Sequence, residues 1–290
     1  MKILIGCDVD PVVPTFLSQP GQVAWEYLDE LDRLLRTAGG LLPPITWLIR
    51  ADEIVRFSAG SWDHIYVKKY ALWQSLLGRG HQLGWHVHTA SFDSGRKCFG
   101  FDPDPAWLSD AHHALAAHFD IRATRTGWDY ASNVLFARLE ALNIAVDFSA
   151  LPGYLAWHKV GYDRLQADWV RCPDTPYHPS RNDYQLRGDM KIIEIPITQF
   201  PNSLAGMAKR SAWRLWNGSL CMRGLQGKTK MLTDRWDALP PAGPVAAFYF
   251  HPRNLLGDGI ANMMRNIELL QTVPGAEFIT ASAAGGVFGQ

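Results

Sequence analysis

Three histidines fall within GHQLGWHVHT at residues 80 to 89, and the last two, His86 and His88, are spaced by two. In an extended strand such residues point to the same face. A same-face pair of imidazoles holds two corners of a metal site when a carboxylate arrives from another element. The first apolar run, KILIGC, ends on such carboxylates, Asp8 and Asp10, again two residues apart. Other stretches that read as strands also run out on polar groups: Arg125 in RATRTGW, Asp147 in IAVDFS and His251 in VAAFYFHP. These are residue types that bind a metal and move protons.

Each has a plainer reading. Two aspartates after a strand also serve as a helix cap or a solvated loop. His86 and His88 taken singly read as buried, hydrogen-bonded histidines, and Arg125 and Asp147 as members of structural ion pairs. Their shared position, where a strand runs out, favours a common site. His112, His113 and His118 lie among alanines on a helix and read as surface residues.

The elements that must position these groups alternate between strand and helix. Strands are expected in KILIGCDVDP, ITWLIR, the histidine stretch, RATRTGW, IAVDFS, KIIEIPIT and VAAFYFHP. Helices are expected over 22 to 37, 62 to 77, from near Pro105, over 130 to 142, and over 260 to 272. EFITASA closes the chain, the polar stretch SFDSGRKCFGFDPD reads as loop, and residues 152 to 189 show little periodicity. Strand–helix alternation implies parallel strands joined by right-handed crossovers. Seven or eight such units in 290 residues fit a single, distorted (β/α) TIM-like barrel spanning residues 1–290. An open doubly wound sheet is the alternative, but CDVDP stands where its Gly-rich phosphate loop belongs. In a barrel, functional groups gather at the C-terminal strand ends.

With 47% hydrophobic residues the chain can bury a large core. Lys plus Arg equals Asp plus Glu at 28 each, so overall charge argues neither for a nucleic-acid binder nor for an acidic tail, and no nucleic-acid partner is expected. Cys7, Cys98, Cys172 and Cys221 have no CxxC spacing, as in a reduced cytosolic protein. LIGC at residues 4 to 7 looks like a lipoprotein cleavage box, but the apolar stretch before it is far too short and Asp8 follows, so it reads as a strand. No apolar run reaches the length of a membrane span, and a soluble cytoplasmic protein is expected.

In order and spacing, CDVDP, GHQLGWHVHT, TRTGWDY, VDFSALPG, PYHPS, IIEIP and YFHP resemble the polysaccharide deacetylases of the NodB-homology type, carbohydrate esterase family four. They are similar to the branch associated with O-antigen and surface-polysaccharide biosynthesis. The resemblance implies a distorted barrel, a divalent metal, usually Zn2+, and hydrolysis of an N-acetyl or O-acetyl group on a sugar. It implies Asp8 as general base, Asp10 and His86 as metal ligands, Arg125 as the brace of the base, Asp147 as a carboxylate beside the acid, and His251 as general acid. The usual second metal histidine lies four residues after the first, where this chain has Ala90, so His88 takes that role at a two-residue spacing. The usual proline after the arginine is also missing, with Thr126 and Gly127 following instead.

Three functions stay open on these residues: a deacetylase acting on an acetylated sugar or carrier-linked glycan, an amide hydrolase of the same superfamily with a non-sugar substrate, and an inactive carbohydrate-binding protein. Lys209, Arg210, Arg214, Arg223, Lys228, Lys230 and Arg235 form a basic segment with Trp213 and Trp216. It reads as a solvated helix face, or as a surface for a diphosphate carrier or an anionic membrane at the inner face. Tyr177, His178 and the tryptophans of residues 152 to 189 are candidate walls for a sugar.

Overall fold

A computed structural model describes residues 1–11, 26–198, 200–201, 215–216 and 244–288. The basic segment from Lys209 to Arg235 lies outside the described residues, apart from the backbone of 215–216, and Cys221 lies outside them as well.

Seven parallel strands follow one another around a curled sheet: β1 (Lys2–Val9), β2 (Thr46–Arg50), β3 (Gln82–Val87), β6 (Ala123–Thr126), β7 (Val146–Asp147), β10 (Ile193–Glu194) and β13 (Val245–Phe250), with β13 returning to pair with β1. An eighth, β14 (Glu277–Ile279), pairs with the N-terminal half of β1, while β2 pairs with its C-terminal half. Between β10 and β13 the ring is joined by two hydrogen bonds, from Thr198 N to Ala247 O at 2.9 Å and from Ala247 N to Thr198 Oγ1 at 3.0 Å. The fold is the distorted TIM-like barrel expected from strand–helix alternation. Strands covered on both faces bury every side chain, which is why β2 and β13 read as apolar runs without alternation. Trp47, Trp85, Phe148, Phe248 and Phe250 are fully buried in this core.

The crossovers contain α1 (Glu26–Ala38), α2 (Glu53–Ala59), α3 (His64–Lys68), α4 (Tyr70–Leu77), α5 (Leu108–Ala116) and α6 (Asn133–Ala141), and α7 (Gly259–Gln271) and α8 (Ala281–Phe288) follow β13. Three expectations need correction. The helix expected over 62 to 77 is two, broken at Lys69, where φ is −117°. The stretch read as a polar loop is a hairpin, β4 (Ala90–Asp93) with β5 (Cys98–Phe101), held by stacking of Phe92 on Phe57 at 4.4 Å. The aperiodic stretch opens with a second hairpin, β8 (Leu155–Val160) with β9 (Asp163–Asp168). Helices α2 and α8 were not anticipated. The short antiparallel pair β11 (Phe200–Pro201) and β12 (Leu215–Trp216) completes the described elements. None of the described helices is long and apolar enough to cross a membrane.

Candidate active site

The C-terminal ends of the barrel strands bring the sequence-predicted residues together. Asp8 is the penultimate residue of β1 and Asp10 follows its end; His86 is in β3 and His88 just past it; Arg125 is in β6, Asp147 ends β7, and His251 follows β13. All are buried or nearly so, and buried ionisable groups persist only when paired or ligating.

One group gathers on Asp10. The His86 Nδ1 lies 2.7 Å from the backbone carbonyl of Arg125, its register neighbour on β6. A carbonyl only accepts, so Nδ1 carries the proton and Nε2 keeps its lone pair. That Nε2 is 2.9 Å from His88 Nε2, which is 3.7 Å from Asp10 Oδ2. The donor atoms of the three residues all lie within 4.8 Å of one another. Nitrogen and oxygen donors placed tetrahedrally around zinc are about 3.3 Å apart, a value bracketed by these two gaps. The residues present therefore fit a divalent metal. Burial pushes the Asp10 carboxyl up, but the Arg50 guanidinium and the two imidazoles outweigh it and hold the group well below its ordinary range. Burial, with His88 alongside, lowers His86 to about 3, so it is a neutral imidazole ready to ligate.

A second group gathers on Asp8. The Arg125 guanidinium donates to Asp8 Oδ2 and, at 2.6 Å, to Asp129 Oδ1, and its plane lies 4.0 Å from the centre of the Tyr249 ring. The remaining Asp8 oxygen, Oδ1, is buried without a hydrogen-bond partner. His251 Nε2 is 3.3 Å from Asp8 Oδ2. The other face of that imidazole is set by Asn254, whose Oδ1 accepts from the His251 backbone N–H at 2.8 Å and lies 3.3 Å from Nδ1. Burial lowers His251 to about 4, with Asp8 opposing the shift.

Asp147 is part of a third group. Its Oδ1 accepts from Ser149 N at 2.9 Å, while Glu194, its register neighbour on β10, accepts from Ala150 N at 2.8 Å. Asp147 Oδ2 and Glu194 Oε2 are both buried with no donor. Burial raises both carboxyls; Asp147 adds to the rise at Glu194, which lies well above its ordinary value, whereas the hydrogen bond with Glu194 opposes the rise at Asp147. The carboxylate in ion-pair range of His251 is thus Asp8, and Asp147 is tied to Glu194 through a shared proton.

Sequence reasoning missed four residues of this site. Arg50 closes β2 and donates to Asp10 at 2.7 Å and to Asp52 at 2.7 Å. Asp52 also caps α2 by accepting from Val55 N at 3.0 Å, so one carboxylate orients both the helix and the guanidinium. The signal was present, since Arg50 closes the expected strand ITWLIR. Glu194 lies in the middle of the expected strand KIIEIPIT, and its place at a strand end appears only in the fold, where β10 stops at it. Asp129 and Asn254 carried no such signal, because their roles depend on turns. Trp128 and Asp129 have φ of 56° and 53°, strained values for such residues, and Trp128 packs edge-on to His88 at 4.4 Å. Tyr177 and His178, read as sugar walls, are committed to the fold instead: the Tyr177 hydroxyl donates to Tyr184 O at 2.9 Å and His178 pairs with Met190 O at 2.8 Å.

No protein-family model matches the sequence, and no curated protein matches it. Solved structures match over nearly its whole length. A protein described as a polysaccharide deacetylase from Mycobacterium smegmatis superposes with a TM-score of 0.56 at 15% identity, covering 99% of this chain and 89% of that one. A protein so described from Pseudomonas aeruginosa PAO1 gives 0.56 at 11% identity, covering 98% and 89%. The chain has the polysaccharide-deacetylase fold. That fold is shared with the allantoinase PuuE, at a TM-score of 0.57 and 12% identity over 98% of this chain and 89% of the other. At these identities the likeness is one of architecture. On the polysaccharide-deacetylase fold of this chain, Asp10, His86 and His88 lie at the C-terminal mouth of the barrel, where this architecture carries its chemistry.

Proposed function

We propose that this chain is a metal-dependent hydrolase that removes an N-acetyl or O-acetyl group from a sugar of a bacterial surface polysaccharide, such as O-antigen, or from its carrier-linked precursor. The observation that carries this reading is the juxtaposition of three converging metal donors with a buried carboxylate oxygen, Asp8 Oδ1, that accepts no hydrogen bond and lies 4.0 Å from His86 Nδ1.

Asp10, His86 and His88 would hold a divalent ion, Zn2+ by ligand type, which when bound polarises the acetyl carbonyl and eases deprotonation of the attacking water. Asp8 accepts that proton on Oδ1 while Arg125 anchors its other oxygen, so the base does not rotate away from the acetyl carbon. His251, 3.3 Å from Asp8, is the group able to deliver a proton to the departing amine. Its low affinity for protons in the free site makes it a strong acid once charged. Arg50 holds Asp10 with Oδ2 toward the imidazoles and thereby orients one donor. Acetate and a free amino sugar, or a sugar hydroxyl for an ester, are the products.

The test is metal content and acetate release from N-acetylhexosamine oligomers for the wild type and for His86→Ala, His88→Ala and Asp8→Asn. About one metal per chain is expected, lost in both histidine variants, with acetate release abolished in all three. Metal retained in His88→Ala would overturn the ligand set. The allantoinase neighbour motivates a second reading, hydrolysis of a non-sugar amide. Turnover of a cyclic amide without acetate release from any acetylated sugar would favour it.

A further inference from the structure

The β8–β9 hairpin has two faces. Val160, Leu165 and Ala167 are buried, and they alternate with exposed Leu155, Trp157 and Lys159 on β8 and Arg164 and Gln166 on β9. The register sets Trp157 opposite Gln166 and Lys159 opposite Arg164. Two features of the outer face are costly as they stand. Trp157 is 61% exposed, with no ring partner among the described residues. Lys159 and Arg164 are like charges directly across an antiparallel pair, an arrangement that destabilises a sheet unless an anion intervenes, and neither has an ion-pair partner among the described residues.

The same face runs on through Gln166 and Asp168 into a cavity of about 430 Å³, also lined by Asn133, Arg171, Asn182 and Asp183. Its walls are amides, carboxylates and a guanidinium, which together offer donors and acceptors at close spacing, as sugar hydroxyls require. From Lys159 to Leu155, whose partner is Asp168, the chain rises about 13 Å, enough for more than one ring. The hairpin is fastened to the site by Trp169, just past β9, whose indole N–H donates to Asp129 O at 2.8 Å.

We propose that this outer face binds an acidic oligosaccharide. A sugar carboxylate lies between Lys159 and Arg164, its ring stacks on Trp157, and the hydroxyls of the next residue enter the cavity beside Gln166 and Asp168. Asp183 is paired with Arg171, which leaves Asp168 as the carboxylate of the cavity lining without an ion-pair partner among the described residues; it disfavours a ligand charged at every unit, such as a nucleic acid, and favours one whose charge sits at the cationic end. The proposal rests on the reading of the barrel as acting on a glycan and adds the class of that glycan.

The experiment is isothermal titration of the full chain with tetragalacturonate, with the same oligomer carboxyl-reduced, and with a thymidine decanucleotide. The proteins are the wild type, Trp157→Ala, the double variant Lys159→Gln/Arg164→Gln, and Asp8→Asn. Wild type and Asp8→Asn should bind tetragalacturonate alike, and the reduced oligomer about tenfold or more weakly. Both surface variants should lose about tenfold or more in affinity, with thermal unfolding no lower than that of the wild type. Absence of binding to the wild type, equal binding by the variants, or equal binding of the reduced oligomer would overturn the proposal. So would tighter binding of the decanucleotide that the same variants abolish. Binding intact with no acetate release from any acetylated sugar would overturn the proposed hydrolysis and leave this surface standing.

Discussion

His88 has room for its imidazole because residue 127 is glycine: a Cβ there would sit 2.3 Å from His88 Cδ2. In the deacetylase pattern that the sequence resembles, a proline follows the arginine where this chain has Thr126 and Gly127, and the second histidine lies two residues further on than His88. The two departures noted in the sequence therefore meet in space, the shifted ring filling volume that the absent side chain leaves. Gly127→Ala should cost about 1–3 kcal/mol of stability by overpacking and weaken metal binding by about 10–100-fold. Metal titration beside chemical denaturation separates the two effects, and unchanged metal affinity would remove His88 from the ligand set. Arg125 is a different case, a buried cation with two carboxylate partners. Arg125→Gln should destabilise by about 3–5 kcal/mol, because Asp8 and Asp129 are left buried without their counter-charge.

Between elements, the spacing of β3 and β6 sets the site. Gly84 in β3 lies so close to β6 that a Cβ would be 2.7 Å from the Ala123 carbonyl oxygen, which is backbone and has little freedom to yield. Gly84→Ala should push the strands apart and lengthen the bond from His86 to the Arg125 carbonyl, with a cost of about 1–3 kcal/mol. Hydrogen exchange at the amides of Trp85 to Val87 is the readout: faster exchange confined to β3 and β6 is expected, and uniform exchange throughout the barrel would refute the local account. The β4–β5 hairpin shows why local patterning failed here. Its turn needs Lys97 at φ 53°, and its apolar face is Phe92 and Phe99 packed on Phe57 of α2, a contact between segments far apart in sequence.

Across the molecule, the Asp147–Glu194 pair links the β7–β10 edge of the barrel to pH. Glu194 is raised well above its ordinary value by burial and by Asp147, so the folded protein holds a proton that the unfolded chain releases. Stability from that proton is complete below the ordinary glutamate range and is lost as pH rises through the raised value. Glu194→Gln keeps an acceptor for Ala150 N and offers an N–H to Asp147 Oδ2 at every pH. Relative to wild type it should gain stability as pH rises above the ordinary glutamate range toward the raised value. Parallel stability curves for the two proteins over that range would contradict a shared proton.

The barrel was legible in the sequence because buried parallel strands and amphipathic helices carry different periods, and the site residues were legible because each falls where an expected strand runs out. Asp8, Asp10, His86, His88, Arg125, Asp147 and His251 all occupy such ends. What they do to one another was not. The partner of His251 is Asp8, the partner of Asp147 is Glu194, Arg50 holds Asp10, and Asp129 is the second carboxylate on the Arg125 that holds Asp8. Which strand ends face each other depends on the curl of the sheet, and which proton is shared depends on burial. Both are properties of packing among distant segments, so they appear only when the chain is folded, whereas the residue types and their places at strand ends are written locally.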